Sequence, residues 1–141
     1  MEQELINQLL ALPGETIHLE KGEFLFHEGD IADHFFIVRK GRLSIKKFEA
    51  SGHIFAHRLV GPNNVLGEIP LYETNTRTYV FNAIAREKCS VYSIRYDVLE
   101  PAIAKDHSLA IAMMKIYTLH MRRQQAKYRD LLLYGKKGAF Y

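Results

Sequence analysis

Between Glu2 and Leu12 the apolar residues Leu5, Ile6, Leu9, Leu10 and Leu12 share one broad helical stripe, which Pro13-Gly14 stops. The pattern predicts a short opening helix that covers an edge of the body. From Thr16 the period changes. Short runs rich in β-branched and aromatic residues alternate with glycine-centred turns at Gly22, Gly29, Gly41, Gly52 and Gly61. Strands are expected at Thr16–Glu20, Phe24–His27, His34–Lys40, Leu43–Glu49, His53–Val60, Thr78–Ala85 and Ser90–Ile94, with Ser51-Gly52 as a hairpin turn. No helix of useful length fits between Pro13 and Val65, so the body reads as antiparallel β. Two helices follow. Arg95–Lys105 carries Val98, Leu99, Ala102 and Ile103 on one side, with Pro101 marking a start or a kink. Asp106 or Ser108 then caps a long helix expected to reach Tyr134, where Gly135 stops it.

That long helix carries two stripes. Leu109, Ala112, Ile116 and Leu119 are placed to pack on the β body. Ala110, Met114, Tyr117, Met121, Gln124, Tyr128 and Leu131 alternate by fours and threes on a neighbouring face. This is a coiled-coil seam with a polar position at Gln124, and it predicts a parallel homodimer. Residues 135–141 read as a hinge, two glycines bracketing two lysines before an apolar end.

Composition narrows the function classes. The chain has 141 residues, 48% of them hydrophobic and 25% charged, which suits one globular domain. No signal-peptide pattern and no membrane-spanning apolar run is present, so a cytoplasmic protein without membrane contact is expected. Cys89 is the only cysteine, which removes disulfide frameworks and cysteine-rich metal centres. His53 and His57 lie four apart in a strand-like run and read as surface imidazoles, so no metal site is expected. No nucleophile–base pair stands out for an enzyme, and Cys89 beside Lys88 reads as a strand residue. The net charge of +3 is unevenly spread: residues 1–114 hold twelve Lys/Arg against fifteen Asp/Glu, residues 115–141 seven against one.

The candidate chemistry lies in Gly67 to Thr78. Gly67 lets backbone approach a ligand, and Glu68 is an acceptor suited to a sugar hydroxyl. A short helical turn after it can aim N–H groups at an anion. Arg77 offers a planar fork for two phosphate oxygens, with the Thr78 hydroxyl beside it. Gly67, Glu68, Ile69, Arg77 and Thr78 are therefore candidate ligands for a small anionic effector. The bland alternative is a solvated loop in which Glu68 and Arg77 pair with each other.

With these residues in place, the chain resembles the sensory half of the CRP/FNR family of bacterial transcription regulators. The resemblance rests on Lys21-Gly22-Glu23-Phe24-Leu25-Phe26, Glu28-Gly29-Asp30 with Ala32-Asp33, Phe36-Ile37-Val38 leading to Gly41, Gly52, Gly61-Pro62, Gly67-Glu68 and Arg77-Thr78. It implies a mainly β fold with α-helices: a double-stranded β-helix (β-roll, jelly-roll-like) followed by a long C-terminal dimerisation helix. The expected division is 1–106 for the opening helix and β-roll, 107–134 for the dimerisation helix, and 135–141 for a hinge toward a DNA-binding helix-turn-helix not contained here. The resemblance also implies a cyclic nucleotide, its ribose on Glu68 and its phosphate on Arg77, and adenine contacts from the long helix near Lys127 and Tyr128. Neither of those two replaces the family's hydroxyl residues like for like. Pro70 removes one N–H from the turn, which lowers affinity ten- to a hundredfold at about 1.5–3 kcal/mol. The cysteines of the FNR type are missing. The alternative output is a kinase or channel regulated by a cyclic-nucleotide-binding domain.

Overall fold

The structure is a computed structural model. It describes residues 2–48, 51, 54–71, 73 and 75–130, with the side chains of 2, 54–57 and 123–130 outside the description. Helix α1 (Glu2–Leu10) precedes β1 (Glu15–Leu19), β2 (Phe24–Phe26), β3 (His34–Lys40), β4 (Leu43–Phe48), β5 (Ile54–Val60) and β6 (Val65–Leu66). Then come the one-turn helix α2 (Glu68–Leu71), β7 (Asn82–Ala85), β8 (Cys89–Arg95), α3 (Tyr96–Lys105) and α4 (His107–Asp130).

The strands form two four-stranded sheets, ordered β1-β8-β3-β6 and β2-β7-β4-β5, and every pairing is antiparallel. This is the expected β-roll. Alternation along β4 and β7 sends Leu43, Ile45, Ala83 and Ala85 inward, into one core with Phe36, Val38 and Val91 from the inner face of the other sheet, whereas Phe35, Ile37 and Ile94 are buried on that sheet's opposite face. The turns obey their glycines. Gly41 has a φ of +78°, and a Cβ there would stand against the Lys88 carbonyl and the Cys89 sulfur, so no other residue suits it. Cys89 opens β8 and is buried; burial pushes its thiol above the usual range.

Several expectations are corrected. The strand expected from Thr78 begins only at Asn82, because residues 77–79 bond instead to the segment 29–32, with Thr78 in a single bridge to Ile31, and a bend at 80–81 separates them from β7. Strand β6 was not foreseen. Pro101 sits inside α3, neither starting it nor ending it. The carbonyl left without its helical N–H, that of Asp97, belongs to the exposed first turn, where water can serve it.

Helix α4 is capped by Asp106, whose Oδ1 accepts from the Ser108 N–H at 3.0 Å, the Leu109 N–H at 3.2 Å and the Ser108 hydroxyl at 2.8 Å. Those bonds hold its carboxyl below the ordinary range, the Ser108 side chain contributing most. Leu109, Ala112 and Ile116 pack on the core as expected, but Leu119 is exposed. Met113, absent from either stripe, is almost fully buried instead. On the seam face, Met114 is 64% exposed and Met121 is also exposed, while Tyr117 is partly covered. The side chains of Gln124, Lys127 and Tyr128 lie outside the described residues, as do Leu131, the helix end at Tyr134-Gly135, the hinge at 135–141, and Gly52 and His53 of the hairpin turn. No helix among the described residues is long and apolar enough to cross a membrane.

Candidate effector site

The segment from Gly67 to Thr78 sits where the inner faces of the two sheets meet α3 and α4. Gly67 has a φ of +84°, and a Cβ there would lie 2.8 Å from the His34 carbonyl oxygen, so the glycine is required by β3 running directly beneath it. Tyr96, the first residue of α3, donates its hydroxyl to the Gly67 carbonyl at 2.5 Å. Burial pushes that phenol far above its ordinary range, so it remains a donor. Tyr79 donates to the His34 carbonyl at 3.0 Å and stacks on Phe26 at 4.1 Å. The cassette is thereby pinned from both sides.

Glu68 and Arg77 do not pair with each other. Glu68, at the start of α2, is bonded to His120 Nδ1 of α4 at 2.6 Å, with side chains only 7% and 12% exposed. Arg77 makes a forked pair with the Glu100 carboxylate of α3, at 2.7 and 3.3 Å. Its guanidinium lies 5.4 Å over the Tyr96 ring and donates to the Glu73 carbonyl at 3.3 Å. The Glu100 bond raises the already high Arg77 pKa further. Each charged group of the cassette is thus held by a different C-terminal helix.

Ile69 and Pro70 line a cavity with Phe26, Ile45, Leu66 and Phe81, and Arg58 borders it from β5. Its volume is about 20 Å³, room for one water and far short of the roughly 300 Å³ of a typical small-molecule site. Pro70 is the third residue of a four-residue helix, so α2 offers few N–H donors and no appreciable summed dipole. Thr78 is partly exposed, bridged to Ile31, and does not line this cavity. Sequence reasoning missed His120 and Glu100. No local signal could have found them, since they lie 52 and 23 residues from their partners.

A profile of the family described as "Cyclic nucleotide-binding domain" matches residues 16–106. The chain belongs to the cyclic nucleotide-binding domain family. Among its relatives are transcription regulators of the CRP/FNR type, whose cyclic-nucleotide-binding-like domain it matches. The "Anaerobic regulatory protein" of Bacillus subtilis is 33% identical over 123 residues, covering 87% of this chain and 51% of that protein. The "Transcriptional activator protein anr" of Pseudomonas aeruginosa is 31% identical over 121 residues, covering 86% and 47% respectively. The chain spans about half the length of the curated relatives it matches. A transcriptional regulator from Thermotoga maritima shares the fold at a TM-score of 0.77 and 23% identity, covering 93% of this chain and 98% of its own.

Proposed function

We propose that this chain is the signal-receiving and dimerising part of a cytoplasmic transcription regulator, passing the state of its cassette to a DNA-binding domain through α4. The relatives it resembles are an anaerobic regulatory protein and a transcriptional activator, neither described as an enzyme. The observation that carries the coupling is the Glu68–His120 bond, which ties the cassette directly to the long helix. Residues 1–106 would act as sensor, 107–134 as dimer helix and 135–141 as hinge. The exposed Met114 and Met121 support a parallel homodimer seam continuing through Gln124, Tyr128 and Leu131.

An effector entering the cassette would carry an anionic group that draws Arg77 away from Glu100 and a hydrogen-bond donor that replaces His120 on Glu68. A cyclic nucleotide fits poorly: Pro70 lacks a donor, and the cavity must open more than tenfold in volume. Fusing the chain to a reporter DNA-binding domain that works only as a dimer tests the reading. Operator occupancy should appear with the wild-type chain and vanish with Met114→Glu/Met121→Glu. Occupancy unchanged by the double substitution would refute the seam.

A further inference from the structure

The outer face of the β2-β7-β4-β5 sheet is built as a row. Phe24 is opposite Ile84, Ile84 opposite Ser44, and Ser44 opposite Leu59, so four side chains cross all four strands on one line. They face away from Phe26 and Ile45, which line the effector cavity on the inner face of the same strands. Phe24 and Leu59 end the row at 40% and 39% exposure. A groove of about 320 Å³ opens over Ser44 and Ile84, walled by Lys21, Gly22, Lys46 and Arg86. The β1–β2 turn is fixed beside it by the Gly22 N–H on the Ala85 carbonyl and the Ala85 N–H on the Glu23 carbonyl, both at 2.8 Å.

Charge sets this groove apart from the surface around it. Arg42, Lys47 and Lys88 nearby are each paired, with Glu87, Glu28 and Glu20. Lys21, Lys46 and Arg86 have no ion-pair partner among the described residues, and no carboxylate lines the groove. Lys46 stands on β4, and Lys21 and Arg86 on the turns at its other end, so the three cations border the groove from two sides. Their charge is complementary to an anionic partner.

We propose that this face docks an acidic segment of another protein. The segment lays an apolar side chain against Ile84 and sets its carboxylates against Lys21, Lys46 and Arg86. Three alternatives fit less well. Bare phosphates have no use for the apolar floor. Base stacking needs a free aromatic face, whereas Phe24 already stacks on His27 at 4.1 Å. A second copy meeting face to face would bring six cations together. An apolar centre rimmed by charge is the anatomy of a protein interface.

The test uses fluorescence anisotropy with a labelled peptide of repeating Glu-Leu-Asp units. Polyglutamate of equal length and a random-sequence DNA duplex serve as competitors, and amide shifts are mapped by NMR. The acidic–apolar peptide should bind with salt-sensitive affinity, shifting amides along the Phe24–Leu59 row. Binding should weaken at least about tenfold in Lys46→Glu/Arg86→Glu and again in Leu59→Ser, all exposed or rim positions whose folding is checked by circular dichroism. Four results overturn the proposal: no peptide binding, equal binding of polyglutamate, stronger binding of the duplex, or affinity untouched by either variant. Loss of a solution dimer in Leu59→Ser would also overturn it, by making this face a contact between copies.

Discussion

Replacing His120 with alanine tests how tightly the cassette is coupled to α4. It strips the Glu68 carboxylate, 7% exposed, of its 2.6 Å donor. A hydrogen bond to a charged group contributes about 1.5–3 kcal/mol, and breaking a fully buried pair costs about 3–5 kcal/mol. The cavity beside Glu68 can admit one water, which places the expected loss near the lower figures, about 2–3 kcal/mol. For a chain of this size that lowers Tm by roughly 5–10 °C. Glu68→Gln keeps an acceptor and should cost about 1 kcal/mol. The decisive quantity is the coupling in the double-mutant cycle, expected at about 1.5 kcal/mol or more by urea unfolding. A His120→Ala loss under about 0.5 kcal/mol, with additive substitutions, would show that the contact contributes nothing and remove the physical basis for coupling.

Gly67→Ala should destabilise by roughly 1–3 kcal/mol through the His34 carbonyl clash and the positive φ, read by thermal unfolding; an unchanged Tm would mean that β3 yields freely. Asp106→Ala should lower Tm at neutral pH and by progressively less in strong acid, because a carboxyl held below its unfolded range stabilises above that range and loses the effect as pH falls through its folded value. An undiminished deficit in strong acid contradicts the capping role. Titrating cAMP and cGMP by calorimetry should give weak heats or none, and a micromolar affinity abolished by Arg77→Ala would sink the claim of weak binding while supporting the site. Sedimentation of the wild-type chain at tens of micromolar should show a dimer that Met114→Glu/Met121→Glu dissociates; a wild-type monomer counts against the seam.

The fold was legible because its signals are local. Strand β3 matches its expected bounds, His34–Lys40, since the apolar run Phe35–Val38 is flanked by polar residues and the glycine turns at Gly29 and Gly41. Strand β6 has two residues, too few to carry a period. On α4, Met113 is buried and Leu119 exposed because the helix packs chiefly on α1 and α3, and the spacing of its apolar residues does not tell which neighbour covers which face. The site was legible only in part. The positions of Gly67 and Glu68 follow from glycine conformation and the turn after it, but which side chain meets Glu68 or Arg77 depends on helices that arrive tens of residues later.

Those partners change what a signal must accomplish. An open cassette presents a carboxylate and a guanidinium to solvent, and a ligand gains by satisfying them. Here both are already satisfied, by His120 and Glu100, so a ligand gains only the difference between its bonds and those it displaces. The two displacements are unequal. Arg77–Glu100 is nearly half exposed on the Glu100 side, and water readily accepts the released carboxylate. Glu68–His120 is buried, and separating it strands a carboxylate unless the incoming group donates to it. An anion alone can therefore take Arg77 while leaving α4 in place. Only a ligand carrying both an anionic group and a hydrogen-bond donor can free His120 and reach the helix. Inorganic phosphate should accordingly perturb the amide shifts of Arg77 and Glu100 without moving that of His120. A shift at His120 of the same size would show that the two ends of the cassette are not separable, and that anion binding alone transmits the signal.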